Sequence, residues 1–229
     1  MSTTEMPATP LVPTGPRARV RQGVLPIARG LGRLGLTPNA LTLIGFGIAV
    51  AAAWLAAEQA WLAAGILVAF GALFDLFDGA LARATGTASK FGAFLDSTID
   101  RWGEAVVYVG LVVGLLEVGF TIGPQVAGAA MASAFMVSYV RAKSESLGFT
   151  PGTGMASVGL APREVRIVIL TLGLIGAGVL YSPADALRYQ PVWYLVLVGS
   201  LALITLLATL TTIQRIFHVY REAKKQEQQ

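Results

Sequence analysis

Uncharged apolar stretches recur along the chain, separated by short charged ones. Residues 39–57, 118–140, 167–184 and 189–214 contain no charged side chain. Each approaches or exceeds the roughly 20 helical residues needed to cross about 30 Å of hydrocarbon. Two further stretches are apolar at one end only. Residues 59–74 are uncharged and run into Asp75 and Asp78; residues 105–116 are uncharged but follow Asp96, Asp100, Arg101 and Glu104. The pattern makes these helices two and three of six, with their charged ends facing each other at one membrane surface. The alternation expected of barrel strands is absent, so the predicted fold is all-α and integral to the membrane, with six transmembrane helices.

Upstream, residues 17–36 mix Val20, Val24, Leu25, Ile27, Leu31 and Leu34 with five arginines. That is the composition of an interfacial amphipathic helix on the cytoplasmic leaflet. Gly35-Leu-Thr-Pro38-Asn39 breaks it, with Pro38 near the first position of the next helix. Residues 1–16 are polar and Pro-rich with no apolar run. They are expected to be a disordered tail and not a signal peptide. Residues 221–229 are expected to be a fraying polar tail. One membrane domain, residues 17–220, lies between.

Composition agrees. Of 229 residues, 55% are hydrophobic and 13% charged, against about 25% charged in a soluble domain. There is no cysteine, which excludes disulfides, thiolate metal sites and cysteine nucleophiles. The net charge is +4, and its distribution says more than its size. Sixteen of the 17 Lys and Arg flank the predicted spans on one side, and only Arg188 falls on the other. The positive-inside rule then puts both termini and the charged connection between helices two and three in the cytoplasm of a plasma-membrane protein. The basic balance reads as topology and membrane lipid contact, with no nucleic-acid partner. Trp54, Trp61, Trp102 and Trp193 fall near span ends, as aromatic belts do.

The chemistry concentrates between residues 75 and 100. Asp75 and Asp78 are three residues apart, and Asp96 and Asp100 four apart, so each pair shares one helix face. The short connection 84–91 folds the two helices antiparallel, and the four carboxylates converge. Such a group needs protonation or cations. Hard oxygen donors suit Mg²⁺, Mn²⁺ or Ca²⁺. Two divalent ions would balance four carboxylates and clamp a phosphoryl group. Gly79 and Gly92 leave room for a ligand at the backbone, and Arg83 suits a phosphate. The bland alternative is a set of intramembrane acids paired with Arg83, Lys90 and Arg101, or the relay of a cation transporter.

The string Asp78-Gly79-x2-Ala82-Arg83-x8-Gly92-x3-Asp96-x3-Asp100, with Asp75 ahead of it, resembles the signature of the CDP-alcohol phosphotransferases at every fixed position. The resemblance implies a six-helix membrane enzyme, usually a homodimer, that moves a phosphatidyl group from a CDP-linked lipid to an alcohol and releases CMP. It implies that Asp75, Asp78 and Asp96 bind metal, and that Asp100 is the general base and touches a second ion. Gly79, Ala82, Arg83 and Gly92 would hold the CDP moiety. Asn39 is read either as a helix cap or as a nucleotide contact.

The acceptor is addressed by a second basic set. Arg141 and Lys143 end helix four, Arg163 and Arg166 open helix five, and Arg215 ends helix six. Clustered guanidinium groups suit a dianionic phosphate; the bland reading is topology alone. Arg166 and Arg215 sit directly against apolar spans, which weakens it. Pro26-Ile-Ala-Arg29-Gly, Ser138-Tyr139-x-Arg141-Ala-Lys143-x-Glu145, Arg163-x-x-Arg166 and Gln214-Arg215 resemble the actinobacterial phosphatidylinositol-phosphate synthases of the same family, with the order at 141 and 143 reversed. The likeness implies CDP-diacylglycerol as donor and inositol 1-phosphate (L-myo, also numbered 3-phosphate) as acceptor. Arg141, Arg163 and Arg215 would bind the acceptor, with Arg166 and Lys143 beside them. Glycerol 3-phosphate, the acceptor of a phosphatidylglycerophosphate synthase, is the alternative that the basic cluster alone does not separate.

Overall fold

The computed structural model describes residues 26–27, 30–119, 121–149, 158–182 and 191–228. Six long helices carry the fold: α1 Pro38–Ala57, α2 Trp61–Thr85, α3 Lys90–Glu117, α4 Ile122–Ser146, α5 Arg163–Leu180 and α6 Val192–Gln226. Residues 26–27 and 30–33 are also helical, whereas residues 17–25 of the expected interfacial helix lie outside the described residues. No strand occurs among the described residues.

Each apolar stretch of the sequence falls inside one helix, but the helices run further than the apolar spans. Helix α2 continues eleven residues past Phe74, because the charged end keeps its intrahelical hydrogen bonds where water is available. Gly86, at φ +67°, ends it in the left-handed conformation and donates back to the Ala82 carbonyl. Helix α3 begins at Ser89, whose hydroxyl accepts from the Gly92 N–H at 2.9 Å. Helix α6 continues to Gln226, so the expected fraying of 221–229 is corrected. A Lys225–Glu222 pair at 2.7 Å and cations in the last turn favour the helix there.

The strongest helix–helix contacts close a ring in the order α1, α3, α4, α6, α5, α2 and back to α1. Small residues let the backbones touch, as packing within lipid requires. A Cβ on Gly110 would stand 2.1 Å from the Ala53 carbonyl oxygen, and one on Gly114 2.2 Å from that of Ala56, so α1 and α3 meet at their backbones. Large apolar side chains such as Leu172, Val179, Leu195 and Leu206 face outward instead. Helices α1, α2 and α6 are long and apolar enough to cross a membrane. Helices α3, α4 and α5 carry most of the charged side chains discussed below.

The two ends of the bundle differ. At one end the core gathers Ala56, Trp61, Leu115, Ala127, Ala177 and Trp193, one from each helix. Trp61 and Trp193 stack at 6.0 Å, with Tyr181 and Tyr194 edge-on to Trp193. These two tryptophans are therefore core residues, which corrects the belt reading for them; Trp54 and Trp102 are exposed. At the other end lie the N-termini of α1, α3 and α5 and the C-termini of α2, α4 and α6. Every described basic residue belongs to that end.

Candidate active site

The charged end opens between α1, α2, α3 and α5. Its cleft is lined by Thr42, Asp75, Asp100, Glu104 and Arg163, and narrows onto apolar walls from Phe46, Leu67, Val107 and Leu170. The four aspartates face one another across the α2–α3 seam. Asp75 acts electrostatically on Asp78, Asp96 and Asp100, and Asp96 on Asp78 and Asp100. Asp78 is buried, with Thr42 Oγ1 donating to its Oδ2 at 2.8 Å and the Gly79 N–H to its Oδ1. Arg163 bridges two of the others, and Arg101 acts electrostatically on Asp96 and Asp100. Arg163 places one η nitrogen 2.8 Å from Asp75 Oδ2 and the other 2.8 Å from Asp100 Oδ2.

This donor set fits a divalent ion. The four partly buried carboxylates outnumber Arg163 and Arg101, the cations that act on Asp96 and Asp100, and their oxygens are the hard ligands such ions take. With Arg163 wedged between Asp75 and Asp100, no three acidic or imidazole groups among the described residues are drawn close enough to enclose one ion. Closing on a metal therefore requires the carboxylates to re-space.

The residues expected to hold the nucleotide surround this seam. Arg83 folds over Gly79, where a Cβ would stand 3.2 Å from its Nη1. At the neighbouring helix starts, a Cβ on Gly92 would stand 3.4 Å from Asn39 Oδ1. Asn39 is not the cap of α1. Thr37 is, with its Oγ1 accepting from the Ala40 N–H at 3.2 Å and Pro38 following it. That leaves the Asn39 amide facing α3. Ala82 is half-buried one turn before the end of α2.

The five basic residues expected at the acceptor separate into two groups. Arg163 is 29% exposed and Arg141 45% exposed, the latter paired with Glu145 at 2.9 Å. Arg166 is 1% exposed. Its Nε and one η nitrogen hold both oxygens of Glu104 at 2.8 and 2.7 Å, and its other η nitrogen donates to the Ala161 carbonyl at 3.0 Å. Arg215 is also buried, donating to the carbonyls of Val158 at 3.0 Å and Val137 at 2.6 Å. Among the described residues, no ion pair or hydrogen bond joins the Lys143 side chain to this cluster. Residues 150–157, in the connection between α4 and α5, lie outside the described residues.

Four residues that sequence reading did not assign contribute to the site. Thr42, one turn after Pro38, ties α1 to Asp78. Glu104 continues the stripe Asp96, Asp100, Glu104 at intervals of four, a signal that was there to be read. Arg101 stands within electrostatic reach of Arg163, Arg141 and Asp100. Thr211 Oγ1 accepts from the backbone N–H groups of Leu160 at 3.0 Å and Ala161 at 2.9 Å. It fixes the approach to α5, where a Cβ on Gly159 (φ +118°) would stand 2.2 Å from Thr211 Cγ2. No spacing rule predicts that contact.

A ring of six helices with aspartates and arginines gathered at one end is the architecture of a membrane phosphotransferase. The CDP-alcohol phosphatidyltransferase family model matches residues 35–217, and the chain belongs to that family. A Pyrococcus horikoshii protein named archaetidylinositol phosphate synthase is 37% identical over 209 residues, 91% of this chain and 95% of its own. A Cutibacterium acnes phosphatidylinositol phosphate synthase is 35% identical over 199 residues, 86% of this chain and 91% of its own. The crystal structure of the Mycobacterium tuberculosis phosphatidylinositol phosphate synthase with CDP-DAG bound superposes with a TM-score of 0.71 at 30% identity. That match covers 87% of this chain and 94% of that one. A second structure of the same enzyme, in complex with manganese and citrate, has a TM-score of 0.70 at 30% identity and covers 86% and 88%.

Proposed function

We propose that this chain transfers the phosphatidyl group of CDP-diacylglycerol to inositol phosphate, releasing CMP and forming phosphatidylinositol phosphate. The observation that carries the reading is the adjacency of two charge systems: Arg163 is bonded to Asp75 and Asp100 at the cleft, and it lies within electrostatic reach of Arg101, which also feels Arg141. The relatives support the acceptor in particular. An archaeal and a bacterial group of synthases share inositol phosphate in their names and differ in the lipid.

Asp75, Asp78, Asp96 and Asp100 would hold two ions, Mg²⁺ or Mn²⁺. Bound there, the ions supply charge neutralisation at the pyrophosphate of the donor. Asn39, Gly79, Ala82, Arg83 and Gly92 bind and orient the CDP moiety. Asp100 takes the proton of the acceptor hydroxyl through its carboxylate oxygen as that hydroxyl attacks the lipid-side phosphorus. Arg141 and Arg163 hold the acceptor phosphate, with Lys143 at the same rim. Arg166 and Arg215 act beneath it as supports, because the hydrogen bonds described above already engage them.

Six spans, both termini in the cytoplasm of a plasma-membrane protein and a homodimeric assembly complete the proposal. The single-sided distribution of basic residues supports the orientation. An 18-residue α5 is about 27 Å long, close to the hydrocarbon thickness. The test uses purified protein, CDP-diacylglycerol and Mn²⁺ against a panel of inositol, inositol 1-phosphate, glycerol 3-phosphate and serine. CMP release is expected only with inositol 1-phosphate and metal. Release with glycerol 3-phosphate alone would reassign the acceptor. Metal flux in proteoliposomes without CMP release would replace the enzyme by a transporter.

A further inference from the structure

Arg163 stands where two ligands are expected to come together. Its two η nitrogens bind one oxygen each of Asp75 and Asp100, carboxylates assigned to the metal. Its side chain is 29% exposed, and its Nε is buried with no hydrogen-bond partner among the described residues. Among the described residues no other ion pair or hydrogen bond is seen at its guanidinium. One turn on, Arg166 has all three kinds of guanidinium nitrogen engaged. A divalent ion and the Arg163 guanidinium compete for the same carboxylate oxygens, and the doubly charged ion brings Arg163 like-charge repulsion at close range. Arg101 lies within electrostatic reach of both Arg163 and Arg141, so three guanidinium groups gather beside the seam. Three clustered guanidinium groups repel one another unless a polyanion joins them.

We propose that Arg163 is a built-in counter-cation of the metal seam. Metal displaces it, and it then becomes a ligand of the acceptor phosphate. One side chain thereby couples metal occupancy to acceptor binding. The proposal rests on the metal and acceptor reading above and goes beyond it in one respect: the two sites are mutually dependent and not merely adjacent. Each ligand then raises the affinity for the other by the same factor.

The experiment measures Mn²⁺ affinity in detergent from the paramagnetic resonance signal of free Mn²⁺. It is run with and without inositol 1-phosphate, for the wild type, Arg163→Gln and Arg163→Lys. Without inositol phosphate, Arg163→Gln is expected to bind Mn²⁺ about 5- to 100-fold tighter than wild type, the range of ordinary coupling energies. Arg163→Lys, a cation without the fork, is expected to fall between. Inositol phosphate is expected to raise wild-type Mn²⁺ affinity by about fivefold or more and to leave that of Arg163→Gln unchanged. Weak chelation of Mn²⁺ by inositol phosphate is common to all three proteins and cancels in the comparison. Equal or weaker Mn²⁺ binding by Arg163→Gln overturns the counter-cation role and leaves the metal reading intact. No Mn²⁺ binding by wild type or variant overturns the metal reading too. If Arg163→Gln does not fold, Arg163→Lys takes its place, and an equal inositol phosphate effect on Mn²⁺ affinity in wild type and Arg163→Lys rejects the coupling.

Discussion

Arg163 and Arg166 lie three residues apart on α5, and each pairs with an acid on α3, Asp100 and Glu104, which are four apart. The two rungs look alike in sequence and differ in what surrounds them. The Glu104–Arg166 rung is dry and bidentate, and a backbone carbonyl completes it. The Arg163 rung is partly exposed, shared between two carboxylates and incompletely bonded. A buried ion pair with every guanidinium nitrogen engaged cannot exchange partners without leaving a charge in a low-dielectric interior. An open one exchanges readily. The lower rung therefore holds the helices together, and the upper one is available for chemistry.

The strongest way to break this contrast is at the acids. Asp100→Asn is expected to lower CMP release about 10²- to 10⁴-fold, the usual contribution of a general base. Its thermal midpoint in detergent should stay near wild type. Glu104→Ala is expected to do the reverse, destabilising the protein by about 3–5 kcal/mol because Arg166 is left buried and unpaired. Replacing Glu104 and Arg166 together by Leu and Met should recover most of that loss in thermal unfolding. A Glu104→Ala protein as stable as wild type would erase the distinction between the rungs.

Smaller effects sharpen it. Arg163→Gln is expected to raise the acceptor KM by about tenfold, the worth of one charged hydrogen bond, with little change in the donor KM. Steady-state kinetics with each substrate varied in turn reads both. Arg141→Gln is expected to be mildest. Its exposed pair with Glu145 is worth about 0.2–0.5 kcal/mol, so the acceptor KM should rise while the thermal midpoint barely moves.

Much of this was legible in the sequence. The apolar pattern located all six helices, and the spacing of Asp75, Asp78, Asp96 and Asp100 located the seam, because helical periodicity alone puts those residues on facing surfaces. The helix ends were not legible. An apolar span marks where lipid begins, whereas a helix stops at a cap such as Thr37, Ser89 or Gly86. The division of the arginines was not legible either. A cation beside an apolar span reads equally as a pocket residue or as half of a buried pair, and only its partner decides. For Arg166 that partner, Glu104, is 62 residues away. For Arg215 the partners are backbone carbonyls, which have no sequence signature.

The aromatic and alanine packing at the far end gives the bundle a fulcrum. There all six helices are fastened by Trp61, Trp193 and their small neighbours, while at the charged end the fixed bonds of Arg166 and Arg215 stand beside the exchangeable ones of Arg163. A tilt of about 5° around a pivot ~35 Å away sweeps a helix end through about 3 Å. That travel separates a pair of carboxylates propped apart by a guanidinium from the same pair closed on an ion, so gentle leverage at the far end can set the gape of the jaws.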